Sequence, residues 1–365
     1  MTLKLHPLAG GSFANLVRLL SAHRVEPQYF PKLITTATIS LLGAPGRQLS
    51  RLKFNAKADA LAFKEDPVFI LGHWRSGTTY LHHLMSQDPH FSYVSSYQAW
   101  APELFLKDSV LTRYFVERSL PKKRPIDNIE LSLQKPEEEE FVMANVTPHS
   151  YIHTFFFPQD TRDIFRRAVL FEGLSASERA AWETRYVRSL KLASLSMGGR
   201  RPLVKSPANT ARISTLLKRF PQAKFIHIYR NPYVVFLSQR HTCAKLIELW
   251  QLQSISLEEI EENILWSYQQ LMERFFAEKA LIPPGNLIEL QYETFESHQL
   301  ESLAQIYATL NLEHFDRVKP DLSAYIDSQA SYQKNHYQLE PATIDKIYAH
   351  WQFTIDRWGY TVPKN

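Results

Sequence analysis

The sequence predicts an α/β protein: a parallel sheet with helices on both faces, three layers in all, and extra helices at the N-terminus and in mid-chain. Three observations lead there. Short apolar runs of strand length recur at 68–71, 202–204, 224–229 and 287–290. The first three are each followed by a stretch of helical spacing, the alternation that builds parallel sheets. The first run is apolar at every position, as a strand buried on both faces should be. The chain has 365 residues, 44% of them hydrophobic and 13% aromatic, which allows a large core and argues against chain-wide disorder.

Residues 1 to about 60 read as helical, with breaks at Pro27, Pro31, Pro45 and Gly46. They are expected to form an extension packed on a main domain of residues 61–365. No secretory leader is expected, because Arg18, His23, Arg24 and Glu26 interrupt the early apolar stretches. The most apolar early run, 33–42, is far shorter than the roughly 20 residues of a membrane span. A helix packed on the main domain is the plainer reading of that run. A peripheral contact with a membrane surface or a lipid substrate is the sharper one. The sole cysteine, Cys243, has no partner for an intramolecular disulfide, so nothing ties the chain to an oxidising compartment and a cytoplasmic location is expected. Forty-two Lys and Arg against 37 Asp and Glu leave a mild excess of +5, which suits a small anionic ligand as well as it suits nucleic acid. No basic run with interleaved aromatics stands out, so nucleic acid is not an expected partner.

Pro67 opens the strand 68–71, Gly72 closes it, and 78–86 has helical spacing. Residues 97–200 read as mostly helical, without a repeat. Pro202-Leu203-Val204 then runs into Lys205-Ser206-Pro207, and 224–229 runs into Arg230-Asn231-Pro232. Helical patterns follow at 210–220 and from 233 to about 249. A last strand, 287–290, ends at Gln291-Tyr292-Glu293.

Chemistry concentrates where these strands end. Gly72-His73-Trp74-Arg75-Ser76-Gly77-Thr78-Thr79 lies between the first strand and its helix. A loop in that place turns backbone N–H groups and a helix N-terminus towards one point, which makes an anion site. The spacing of Gly72 and Gly77 matches a nucleotide-triphosphate P-loop, but Thr78 stands where such a loop has its lysine. The cation has moved to Arg75. A kinase also needs Mg²⁺ held by an acidic strand end, and here the later strand ends carry Lys205 and Arg230. Cations without metal ligands suit a phosphosulfate, and Arg75 can neutralise its 5′-phosphate and bridging oxygen. Pro232 suits a first helical turn, so Ser238 sits two turns into the next helix and can grip a phosphate together with Arg230.

These residues carry a family resemblance. Phe69-Ile-Leu-Gly-His-Trp-Arg-Ser-Gly-Thr-Thr-Tyr80 resembles the 5′-phosphosulfate loop of sulfotransferases that use 3′-phosphoadenosine-5′-phosphosulfate (PAPS). Phe225-Ile-His-Ile-Tyr-Arg-Asn-Pro-Tyr-Val-Val-Phe-Leu-Ser238 resembles their 3′-phosphate motif, with the same Arg-to-Ser spacing. Leu203-Val-Lys-Ser-Pro207 is similar to their lysine-bearing strand end. Asp127-Asn128 with Pro136-Glu-Glu-Glu-Glu-Phe141, Leu290-Gln-Tyr-Glu293 and Ser331-Tyr-Gln-Lys-Asn-His-Tyr337 are similar to features of the large bacterial branch. The resemblance implies a three-layer P-loop-type fold, PAPS as co-substrate and no metal. It implies that Arg75, Ser76, Gly77, Thr78 and Thr79 bind the 5′-phosphosulfate, that Arg230 and Ser238 bind the 3′-phosphate, and that Lys205 lies near the transferring sulfuryl group. Lys334 would close over the nucleotide.

Transfer to an alcohol needs a general base on the acceptor hydroxyl. The places where family members keep one read Val94-Ser-Ser-Tyr-Gln98 and Lys205-Ser-Pro-Ala-Asn209, with neither Glu nor His. The run Glu137–Glu140 offers a substitute. Read as helical, it lets only one or two of its acids face the core with Phe141, and Glu138 is favoured, with Glu140 as alternative. The plain reading of that run is a solvated helix start favoured by the dipole. The acceptor is expected to be a small molecule with a hydroxyl group, and the apolar N-terminal helices lean towards a hydrophobic one. A P-loop small-molecule kinase and a non-catalytic nucleotide-binding protein are the alternatives.

Overall fold

The computed structural model describes residues 5–107, 109–119, 126, 132–330 and 339–363. Five strands form one sheet in the order β2-β3-β1-β4-β5: β1 Val68–Leu71, β2 Phe91–Ser92, β3 Arg201–Lys205, β4 Lys224–Tyr229 and β5 Leu287–Gln291. β1 pairs in parallel with β3 and with β4, and β4 pairs in parallel with β5. The chain fills one side of β1 with β2 and β3, then crosses to place β4 and β5 on the other. In open α/β sheets that reversal leaves a crevice at the C-terminal ends of the strands, where ligands bind. The four longer strands fall where the sequence predicts them. β2 has two residues, too few for a hydrophobic period to show.

The chain divides into two compact units. One comprises residues 65–91, 203–244 and 257–365 and holds the pairing core of the sheet. Alternate residues of β1 serve opposite faces. Val68 and Ile70 join Leu81, Ile226, Leu303 and Leu322 on one side, beneath the helices Thr78–Met85, Gln299–Thr309 and Phe315–Ser328. Phe69 points the other way and stacks on Phe225, with ring centroids 5.5 Å apart. On that side His227 stacks on Phe275 at 3.9 Å and Tyr268 on Trp351 at 3.8 Å, within the helices Leu257–Glu278 and Pro341–Trp358. This is the expected three-layer arrangement, and His227 is a packing residue in it.

The other unit comprises residues 1–64, 92–202 and 245–256 and is mostly helical. The N-terminal helices Phe13–Ala22, Phe30–Leu42 and Ala44–Ala60 belong to it together with the mid-chain helices Glu139–Val146 and Ala176–Ser196. Asn15 donates from its side chain to the carbonyls of Ala144 and Thr147, tying the first of these helices to the mid-chain. Trp182 stacks on Tyr186 at 4.7 Å inside this unit. Ser175 and Glu178 form a reciprocal capping box that starts the 21-residue helix.

Candidate active site

β1 ends in a loop whose backbone explains its glycines. Gly72 has φ 139° and Gly77 has φ 95°, values open to glycine and costly for other residues. Each is also crowded. A Cβ on Gly72 would run into the carbonyl oxygen of Ile228 in the neighbouring β4, and one on Gly77 into the ring of Tyr292. Thr210 fastens the start of the loop: its hydroxyl accepts from Gly72 N at 2.9 Å and donates to Gly72 O at 3.1 Å. The helix start expected at Thr210 comes later. Residues Pro207–Ala211 make a 3-10 turn, and the helix begins at Ile213.

Arg75 adopts φ 72°, in the left-handed region, at a cost on the order of 1 kcal/mol for a residue with a Cβ. In that conformation its Nε donates to Ser238 Oγ at 2.9 Å. Ser238 lies in the helix Pro232–Trp250, so the two motifs that the sequence sets 163 residues apart are joined by one hydrogen bond. Arg230 donates to the Arg75 carbonyl at 3.3 Å, and its guanidinium lies 4.2 Å from the centre of the Tyr292 ring. Tyr292 therefore supports both Gly77 and Arg230, a cation–π contact that holds the guanidinium in place. Glu293 accepts from Asn231 N at 3.1 Å and from the Tyr360 hydroxyl at 2.7 Å, which fixes the turn after β4. Asn231 Oδ1 accepts from Tyr233 N at 3.0 Å and starts the next helix.

Lys205 ends β3, where the register places it beside Ile70 of β1. Its ammonium donates to Thr79 Oγ1 at 3.2 Å, and the side chain is 1% exposed. Ser76, Thr78 and Ser238 are also buried here, and the Ser206 hydroxyl has no hydrogen-bond partner. Arg75, Ser76, Gly77, Thr78, Thr79, Lys205, Arg230 and Ser238 thus come together at the C-terminal edge of one sheet. His73 is turned away from this work. One ring nitrogen is 2.8 Å from the Trp74 carbonyl, the ring packs on Tyr268, and burial pushes its pKa down to about 4, so it is neutral at pH 7.

The acidic run departs from its helical reading. The helix starts at Glu139, and Glu138 has extended backbone, with ψ 131°. Glu137 and Glu138 precede the first turn, so helical spacing does not set their direction. The acids that face inward are Glu139 and Glu140. Glu140 accepts from the Ser150 hydroxyl at 2.7 Å and from Tyr151 N at 3.1 Å, a structural use of the alternative base. Glu139 accepts from the Tyr186 hydroxyl at 3.0 Å, and burial, with the neighbouring Glu140 charge, raises its pKa to about 7. Glu138 is half-buried. Lys334, Asp127 and Asn128 lie outside the described residues. Thr210 and Glu293 are the positions whose work the sequence reading missed. Glu293 gave a signal, as an acid at a strand end of an otherwise cationic edge. Thr210 gave none.

A model of the sulfotransferase family matches residues 67–317, well over half of the chain, with Arg75, Lys205, Arg230 and Ser238 inside the match. The chain belongs to the sulfotransferase family. Among curated relatives, this sulfotransferase is 30% identical over 357 residues to the omega-hydroxy-beta-dihydromenaquinone-9 sulfotransferase Stf3 of Mycobacterium bovis and to that of Mycobacterium tuberculosis. The match covers 96% of this chain and 90% of each relative. Its fold is also that of two solved sulfotransferases. STF1 of Mycobacterium tuberculosis superposes with a TM-score of 0.67 at 16% identity, covering 92% of this chain and 89% of that one. STF9 of Mycobacterium avium gives 0.69 at 18% identity, covering 88% and 83%. The enzyme is thus a transferase with a P-loop-type α/β fold. Among the described residues, no helix is long and apolar enough to cross a membrane.

Proposed function

We propose that this sulfotransferase moves a sulfuryl group from PAPS to a hydroxyl of an apolar small-molecule acceptor, by in-line transfer that needs no metal. The observation that carries this reading is the convergence of Arg75, Lys205 and Arg230 at the sheet edge, joined through Ser238 and Thr79. The residues fit the group. Gly72 and Gly77 hold the loop in a conformation that the Ile228 carbonyl and the Tyr292 ring leave open to glycine alone, and Lys205 and Ser206 are buried at the same strand ends.

PAPS supplies an activated S–O bond to a 5′-phosphate. Ser76, Gly77, Thr78 and Thr79 hold that phosphate with backbone N–H groups and hydroxyls at the start of the helix Thr78–Met85. Arg230 and Ser238 hold the 3′-phosphate, and the family resemblance adds Lys334 to the residues that bind the nucleotide. Arg75 and Lys205 meet the negative charge that grows on the leaving oxygen as its bond to sulfur breaks. Glu138, half-buried and ahead of the helix in which Glu139 and Glu140 are held by Tyr186 and Ser150, takes the proton of the acceptor hydroxyl as that oxygen bonds to sulfur. An apolar acceptor is supported by the curated relatives, whose name gives omega-hydroxy-beta-dihydromenaquinone-9. A cytoplasmic location is supported by the single buried cysteine, whose thiol burial pushes up to about 12, leaving no disulfide to preserve.

The test is incubation of the enzyme with PAPS and a hydrophobic cell extract in EDTA, followed by mass spectrometry. A product heavier by one sulfuryl group, missing with Arg75→Ala, is expected. A product heavier by a phosphoryl group and dependent on ATP would replace this reading with a kinase.

A further inference from the structure

The helix Phe30–Leu42 has an outer face unlike that of an ordinary surface helix. A helix on a soluble protein turns its apolar stripe inward and its charges outward. Here the only charged residue of the thirteen is Lys32, and it faces the protein, donating to the carbonyls of Leu249 and Gln251. The exposed positions are Phe30, Ile34, Leu41 and Leu42, with Pro31, Thr35 and Thr38 between them. Ile34 is 64% exposed and Leu42 76%. The two exposed threonines hide their hydroxyls: Thr35 donates to the Pro31 carbonyl and Thr38 to the Ile34 carbonyl, each at 2.9 Å. This face carries no charge and no unsatisfied side-chain donor.

The neighbouring helices add apolar and basic groups together. Phe13 and Val17 are exposed on the helix Phe13–Ala22, and Leu49 and Leu52 on Ala44–Ala60. Residues 13–60 contain seven lysines and arginines against Glu26 and Asp59 alone; Lys32 and Arg47 turn into the protein, and Arg18, Arg24, Arg51, Lys53 and Lys57 are exposed. The whole chain has an excess of five, so this segment accounts for all of it and the rest is balanced. Arg18 and Arg51 from these helices also line a cavity of about 450 Å³, with Arg185, Arg188 and the apolar Phe54 and Leu192. Glu103 is the one acid lining that cavity, and Arg51 holds it, at 2.6 and 2.9 Å. A terminal nitrogen of Arg188 is buried with no hydrogen-bond partner. Burial first, and then repulsion from Arg18 and Arg51, lowers the pKa of Arg185. The cavity gathers four arginines around one carboxylate.

We infer that the three N-terminal helices dock this enzyme on an anionic phospholipid bilayer. The apolar face of Phe30–Leu42 enters the headgroup boundary, the flanking lysines and arginines meet lipid phosphates, and the arginine-lined cavity accepts one headgroup. A helix of this length lies in the interface rather than spanning it. Interfacial lysines and arginines distinguish an anionic bilayer from a free apolar ligand, which would gain nothing from them. The inference rests on the helical unit alone and stands apart from the assignment of donor and acceptor.

The test is sedimentation of the full chain with two kinds of vesicle, phosphatidylcholine alone and an equimolar mixture with phosphatidylglycerol. Binding to the mixture is expected, with little to phosphatidylcholine and loss in high salt. Ile34→Glu with Leu42→Glu should weaken binding roughly ten-fold or more, with melting temperature and adenosine 3′,5′-bisphosphate affinity unchanged. Arg188→Gln, which keeps the apolar face, should narrow the preference for the anionic vesicles. Absence of vesicle binding by the wild-type chain overturns the inference, as does binding that the double variant leaves intact. So does light scattering that shows a dimer, broken by the double variant, in place of vesicle binding, because the face would then belong to a second copy.

Discussion

Arg75 combines two demands that conflict locally. Its guanidinium reaches Ser238 and, in the proposed function, the donor, while its backbone sits at a left-handed φ that glycine would adopt more readily. Two variants separate these demands. Arg75→Ala and Arg75→Gly should both lower turnover by about 100-fold or more, as removal of one charge-stabilising group does in comparable sites. Arg75→Gly should nevertheless melt higher than Arg75→Ala, because it relieves the backbone. Equal activity in either variant and wild type would remove Arg75 from the chemistry. Arg230 makes a different prediction. Arg230→Ala should weaken adenosine 3′,5′-bisphosphate far more than its 3′-hydroxyl analogue in a calorimetric titration, and an equal loss for both would contradict a 3′-phosphate role. For Glu138, turnover of Glu138→Gln with nucleotide affinity retained is the informative measurement. Full turnover would move the base elsewhere.

At the scale of elements, the site depends on contacts between neighbouring strand ends. Gly72 faces a backbone carbonyl of β4, which cannot move without disturbing the sheet, and Gly77 faces the Tyr292 ring. Gly72→Ala should therefore destabilise the fold more than Gly77→Ala, and denaturant midpoints of the two variants decide it. Thr210→Val keeps shape but removes both bonds to Gly72. It should cost about 1–3 kcal/mol, since it leaves buried backbone groups unmatched. Much of this edge was legible in the sequence, because glycine spacing, strand length and the cations at strand ends are local signals. The helix 233–249 was legible for the same reason, with Pro232 at its start. Two features were not. Thr210 works through a tertiary hydrogen bond to a residue 138 positions away, which no local pattern encodes. The acids at 137–140 were read as helical, whereas the helix starts only at Glu139, so the faces assigned to Glu137 and Glu138 had no basis.

Across the whole molecule, buried ionisable groups bound the pH range of the fold. Burial pushes His6 down to about 3, and His73 and His153 to about 4, against an ordinary value near 6.5. Each is neutral in the fold and gains a proton on unfolding, so their contribution is present above pH 6.5 and is lost as pH falls towards 4. Glu139 works in the opposite direction. Its raised pKa of about 7 means that stability is present below the ordinary carboxylate range and is lost as pH rises through 7. Glu139→Gln should therefore melt closer to wild type near pH 5 and increasingly above it towards pH 8, by up to on the order of 1–3 kcal/mol. A constant difference across that range would show that Glu139 is ionised in the fold.

The account depends on Arg75, Lys205 and Arg230 carrying, at one sheet edge, the electrostatic load that magnesium and a lysine carry in phosphoryl enzymes. The most direct measurement is transfer of radiolabelled sulfate from PAPS into the hydrophobic extract in the presence of EDTA, for wild type and for Lys205→Ala. Label should enter the extract with wild type at a rate unaffected by the chelator, and Lys205→Ala should slow it by about 100-fold or more. Transfer that stops in EDTA and returns with added magnesium, or that proceeds normally without Lys205, would contradict it.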